Sequence, residues 1–152
     1  MVNVNCRSLM ELTWHFGRRF AAQRRGGIVL MSSLVGFKGV PHAANYAATK
    51  AYVQSLAKAL HHELKPHGVA VLACAPGPIH SGFAARAGIK LGMAQKPAAV
   101  ASATLAALGK RSIVRPGWLS KTLEWLLKPL PRWGRVRMMG VIMGNIANRT
   151  AS

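Results

Sequence analysis

Aspartate is absent from this chain, and only three glutamates, Glu11, Glu63 and Glu124, stand against 21 lysines and arginines in 152 residues. A formal charge of +18 admits nucleic acid or an anionic membrane surface as a partner. The cations are scattered, however, as Arg18-Arg19, Arg24-Arg25, Lys110-Arg111 and then Arg132, Arg135 and Arg137. No helix-turn-helix, zinc-finger or RNA-binding signature accompanies them, so no specific nucleic-acid function is expected. Cations spread over solvated faces, or acids carried on a part of the protein outside this sequence, account for the balance. No apolar run approaches the length of a membrane span. The first fifteen residues carry Asn3, Asn5, Arg7 and Glu11 and lack a signal-peptide layout. Two cysteines, Cys6 and Cys74, make no disulfide framework and read as reduced thiols of a cytoplasmic protein. Histidines His61 and His62 are adjacent and would point about 100° apart on a helix, with no HxxxH pair or carboxylate cluster in support, so no metal site is expected.

The apolar content of 51% suffices for one folded domain. Leu9, Leu12, Phe16 and Phe20 recur at helical spacing and predict an amphipathic helix over about residues 5–24, ended by Gly26-Gly27. Ile28 to Met31 is an apolar run of the kind found in strands buried on both faces. Residues 34–42, with Gly36, Gly39 and Pro41, form a loop. A helix from about Ala43 to Lys65 buries Val53, Leu56, Leu60 and Leu64 and is stopped by Pro66 and Gly68. Val69 to Cys74 is a second buried strand, turned away by Pro76-Gly77-Pro78. Pro97 opens a helix to about Leu108, and Ser112 to Arg115 is a third strand. Alternating helices and strands predict a doubly wound parallel α/β sheet, with the strands side by side. Ligands bind such sheets at the carboxyl ends of the strands, where Ser33 and the Pro76-Gly77 turn both lie.

Tyr46-Ala-Ala-Thr-Lys50 places a phenol and an ammonium four residues apart on one helix face. A free phenol, with a pKa of about 10, is a poor acid-base group at neutral pH. A neighbouring ammonium favours the phenolate and should pull that pKa toward the working range. Ser33, thirteen residues before the tyrosine, offers a hydroxyl to the same substrate oxygen.

In order and spacing, these segments resemble the short-chain dehydrogenase/reductase family. The matching stretches are Gly27-Ile-Val-Leu-Met-Ser-Ser33, Gly36, Gly39 and Pro41, Tyr46-Ala-Ala-Thr-Lys50-Ala, Glu63-Leu64, Gly68-Val69 and Pro76-Gly77-Pro-Ile-His-Ser81. Together they cover about residues 2–84. The resemblance implies a hydride transfer between NAD or NADP, with NADP the first expectation, and a carbonyl or hydroxyl. Tyr46 would be the general acid or base. Lys50 would lower its pKa and hold the nicotinamide ribose, and Ser33 would orient the substrate oxygen. Asn5 matches the helix asparagine that holds a water in the proton relay. Asn3 is the alternative for that role, and a plain N-cap is the alternative for Asn5. Pro76, Gly77, Ile79 and Ser81 would lie on the cofactor side, Ser81 keeping a hydroxyl where the family usually has threonine. Leu34, Val35, Phe37, Val40, Phe83, Met93 and Trp118 would wall an apolar pocket suited to a hydrophobic small molecule, such as an acyl, steroid-like or aromatic substrate. The resemblance also implies a homodimer through the two long helices.

The family's opening glycine-rich turn, which seats the cofactor pyrophosphate at a helix N-terminus, is not found in this sequence. Nor is the residue that chooses between NAD and NADP. About three βα units of roughly 30 residues each are missing. The expectation is a single partial Rossmann-like domain over 1–152, with catalytic βα units over 1–115 and a helical cap over 116–152. The chain alone would be inactive, and its first strand would expose an apolar edge. A non-catalytic remnant with a basic interaction surface is the alternative. Trp118, Trp125 and Trp133 lie among leucines and cations. They would either cap the core or contact a membrane surface, and a last helix is expected over Arg135 to Asn148.

Overall fold

The computed structural model describes residues 1–82, 86, 94–117 and eleven scattered positions between 122 and 141. Phe83, Met93 and Trp118, three of the expected pocket residues, lie outside the described residues. A π-helical turn, Asn3–Ser8, runs into helix α1, Leu9–Ala22. Strand β1 follows over Gly26–Met31, then a short 3-10 turn over Leu34–Phe37 and helix α2 over Ala44–Leu64. Strand β2 is Val69–Cys74, helix α3 is Pro97–Ala107 and strand β3 is Ile113–Val114.

The three strands lie in the order β1-β2-β3, all parallel. The fold is thus α/β and Rossmann-like, as the element order predicts. Side chains alternate across a strand, so the register separates the two faces. Ile28 and Leu30 of β1, Val69, Val71 and Ala73 of β2 and Ile113 of β3 share one face with Val53 and Ala57 of α2 and Phe20 of α1. On the other face, Cys74 Sγ lies 3.1 Å from Thr104 Oγ1 of α3, and Gly27 faces Leu108. The sheet is therefore covered on both sides. The connections β1-α2-β2 and β2-α3-β3 advance in the same direction over opposite faces, so they have opposite hands, one of them against the usual preference.

The boundaries depart from the sequence pattern in three places. Gly26-Gly27 open β1 rather than end α1. The helix ends at Gln23, Arg24 takes the left-handed conformation with φ of 51°, and the Phe20 ring occupies the space where a Gly26 side chain would stand. Leu12 and Phe16 are exposed, at 58% and 40%. Thr13 and Gly17 are the buried residues of α1 instead, because small Gly17 lets α2 approach: a Cβ there would be 3.5 Å from Leu64 Cδ1. The segment 34–42 is a loop only from Lys38 onward, since Ser33 caps the preceding 3-10 turn.

The buried stripe of α2 is as expected, with Val53 fully buried and Leu56, Leu60 and Leu64 packed on the core. Gly68, at φ of 75°, reverses the chain into β2, and a side chain there would run into the Arg24 carbonyl. Central β2 is buried along nearly its whole length. Edge strand β1 is not: Met31 is 49% exposed. Among the described residues no strand pairs with the outer side of β1.

Candidate functional site

Lys50 reaches the carboxyl end of β1, where its Nζ donates to the Met31 carbonyl at 2.9 Å. Its ammonium sits 5.6 Å from the centre of the Tyr46 ring. Tyr46 shares a side-chain hydrogen bond with Ser33. The three residues singled out by spacing therefore meet at the carboxyl edge of the sheet. Around them, α2 serves as a rail. Buried Ser32 donates its hydroxyl to the Lys50 carbonyl at 2.8 Å, and Gln54 Nε2 donates to the Ser33 carbonyl at 2.9 Å. Gly36 lies directly on this rail, where a Cβ would stand 2.7 Å from the Lys50 backbone.

Asn5 is no N-cap, because Val2 holds that position and Asn5 lies inside the π-helical turn. Its Nδ2 donates to Thr49 Oγ1 at 3.1 Å, beside Lys50 in sequence. Such π-turns are frequent at functional sites. Here the turn delivers Asn5 and Cys6 to the Lys50 end of α2.

Burial shapes the site's protonation more than charge pairing does. Desolvation pushes the Tyr46 phenol above its ordinary value of 10.0, and the Ser33 hydrogen bond opposes this. The expected net fall, driven by Lys50, is thus not found. The same burial pulls Lys50 below 10.5, with the nearby Cys6 acting the other way.

Pro76 is buried at the end of β2, and its carbonyl accepts from Leu34 N at 3.1 Å. This ties the turn after β2 to the turn after β1. Ile79 is half-buried and bridges Gln95, while Ser81 is exposed. Gln95 Nε2 also donates to the Pro116 carbonyl at 3.0 Å, joining the segments that follow β2 and β3. Leu34, Val35 and Phe37 are half-buried along the 3-10 turn. Val40, at 2% exposure, lies beneath the surface rather than on an open wall. Of the expected last helix, Val136 approaches Gly39 and Gly140 approaches Pro41, so those positions rest on the loop before α2. Trp125 and Trp133 are largely exposed, at 74% and 70%.

Sequence spacing does not point to Ser32, Thr49, Gln54 or Gln95. Their roles come from tertiary hydrogen bonds, and nothing in their local pattern marks them. No group of three or more metal-ligating side chains occurs among the described residues, and no helix there is long and apolar enough to cross a membrane.

The family model for short chain dehydrogenases matches residues 1–91. A very-long-chain 3-oxoacyl-CoA reductase of Phaeosphaeria nodorum is 27% identical over 134 residues, which is 84% of this chain and 39% of that protein. A solved 7beta-hydroxysteroid dehydrogenase is similar with a TM-score of 0.82 and 26% identity, over 91% of this chain and 57% of the other. A short-chain dehydrogenase from Sphingobium yanoikuyae in complex with NADPH gives 0.68 and 27%, over 86% and 56%. The chain thus spans between 39% and 57% of the length of these proteins.

Proposed function

Since the chain belongs to the short-chain dehydrogenase family, we propose that it carries the acid-base half of an oxidoreductase acting on a carbonyl or hydroxyl group. The contact of Tyr46 with Ser33 beside Lys50, at the carboxyl edge of the sheet, carries this reading. Tyr46 donates a proton to the carbonyl oxygen in reduction and accepts one in oxidation. Ser33 hydrogen-bonds the same oxygen and eases the phenol toward its anion. Lys50, held by the Met31 carbonyl, supplies positive charge beside the phenol. Asn5, fixed by Thr49, orders the Lys50 end of the relay.

The residues present fit the nicotinamide end of a dinucleotide. Lys50 would hold its ribose, and Pro76, Gly77, Ile79 and Ser81 would lie along it. NAD or NADP, with NADP preferred, would supply or accept the hydride. A relative in complex with NADPH supports this choice. The pyrophosphate end finds no glycine-rich turn in this sequence, so the 152 residues alone are expected to be inactive and to seat neither NADH nor NADPH tightly against Tyr46 and Lys50.

Half-buried Leu34, Val35 and Phe37 favour a hydrophobic substrate, as do relatives named for oxoacyl and hydroxysteroid substrates. The exposed apolar residues of α1, Leu12, Trp14 and Phe16, suit pairing of two copies along the long helices. In a full-length protein containing this sequence, Tyr46→Phe should slow hydride transfer by about a hundredfold or more. Undiminished transfer would overturn the assignment. A second reading, of membrane-surface contact, is favoured by exposed Trp125 and Trp133 among cations. Sedimentation with anionic vesicles tests it, and absence of binding at low salt would leave only the packing against the Gly39 to Pro41 loop.

A further inference from the structure

Away from Tyr46, the described residues border an open groove of about 970 Å³. It touches α2, α3, Phe37 and every residue from Lys110 to Gly117. Because α2 and α3 cover opposite faces of the sheet, this groove runs along the outer edge of β3. Six basic side chains face it from three separate segments: Lys58, His61 and His62 of α2, Lys110 and Arg111 of the turn before β3, and Arg115 after it. No carboxylate is among its described lining residues; Glu63 adjoins His62 in sequence but does not line it.

The groove is partly pre-organised. Strand β3 pairs only with Ala73 and Cys74, so the Val71 carbonyl lies beyond the ladder. His61 Nδ1 donates to that carbonyl at 3.0 Å, which fixes the ring at the edge of the sheet. The Arg115 guanidinium stacks on Phe37, 3.9 Å from the ring centre. Val114 and, from α3, Ala103 and Ala106 supply an apolar wall.

The volume falls at the upper end of the range for organic ligands, about 300–1,000 Å³. A groove of this volume is larger than one inorganic ion fills. We propose that this groove binds an organic molecule carrying two or more phosphates, of the nucleoside-diphosphate type. The apolar wall takes the nucleoside, and the lysines and arginines take the phosphates. The concave shape favours such a ligand over a nucleic-acid strand, which would follow a continuous basic stripe. The groove shares Phe37 with the proposed substrate side but is lined by none of Asn5, Ser33, Tyr46 and Lys50, and the proposal stands on binding alone, whatever the outcome at Tyr46.

The test is calorimetric titration of the 152-residue chain with ADP and with pyrophosphate at physiological salt. Saturable one-to-one binding of ADP is expected. Lys58→Glu, and the pair Lys110→Glu with Arg111→Glu, should each weaken it about tenfold or more, or about 1.4 kcal/mol. The pair Arg18→Glu with Arg19→Glu on α1 should leave it within about twofold, since those residues contribute only to net charge. All five positions are exposed, and circular dichroism checks that each variant folds. Equal weakening by the α1 pair would overturn the proposal, because binding would then follow charge alone. Absent or non-saturable ADP binding would also overturn it, as would tighter, groove-dependent binding of single-stranded DNA or polyglutamate.

Discussion

Gly36→Ala tests whether the Ser33 turn is seated on α2 as closely as its contacts require. A Cβ at residue 36 would stand 2.7 Å from both the carbonyl carbon and oxygen of Lys50, and 2.6 Å from Gln54 Nε2. The helix backbone cannot yield. Gln54 is buried and committed to the Ser33 carbonyl. The turn must therefore lift by several tenths of an ångström to regain ordinary contact, which begins near 3.4 Å. Overpacking of this kind costs about 1–3 kcal/mol. Straining the bonds from Ser32 and Gln54 adds about 0.5–1.5 kcal/mol for each one lost, and the stiffer unfolded chain returns about 0.4–1 kcal/mol. A net loss of about 2–3 kcal/mol should lower the melting temperature by about 5–10 °C in a chain of this size. Thermal unfolding followed by circular dichroism measures it. The control is Gly82→Ala, where an added Cβ meets nothing within 4 Å and stability should hold. Equal melting of the Gly36 variant and the parent would refute the close seating of the turn.

Other outcomes follow from the same geometry. Ser33→Ala removes a hydrogen bond that favours the Tyr46 phenolate, so tyrosinate absorbance should develop at higher pH than in the parent; an unchanged titration would deny that contact. Lys50 is depressed below 10.5 and Tyr46 raised above 10.0 by burial. The charged lysine therefore weakens folding near neutrality, an effect relieved as pH rises through its folded pKa, whereas stability falls above pH 10 as Tyr46 resists ionisation. Accordingly Lys50→Met should not lower the urea midpoint at pH 7 and should flatten the alkaline rise. Asn5→Ala deletes the bond to Thr49 and should cost about 1 kcal/mol in urea unfolding. Cys74 is buried with a raised thiol pKa while Cys6 is half-buried, so a disulfide reagent should titrate one thiol in the native chain and two in denaturant.

The helices and strands were legible because their patterns are local. Val69 to Cys74 is apolar throughout and is a central strand, and Pro97 does start α3. Faces were less legible. Leu12 and Phe16 share a helical period with Leu9 and Phe20, yet Gly17 decides which side of α1 meets Leu64, and periodicity carries no record of that neighbour. Ser33, Tyr46 and Lys50 could be found by their spacing together with the resemblance of the segments around them. The direction of the Tyr46 shift could not, because it depends on how deeply the loop buries the phenol. Ser32, Gln54 and Gln95 escaped notice for a related reason: a polar side chain that bonds a distant carbonyl leaves no trace in its own segment.

Three contacts that shape the cluster of Ser33, Tyr46 and Lys50 land within six residues of α2, at Thr49, Lys50 and Gln54. A stretch of that length rises only about 7–8 Å along a helix axis. Loops commonly breathe independently of the elements that flank them. Here, fraying of the Ser33 turn must break hydrogen bonds to the middle of a 21-residue helix whose inner face is core. The centre should therefore open in one cooperative step with α2, so its amide protons should exchange with solvent at rates close to those of the helix.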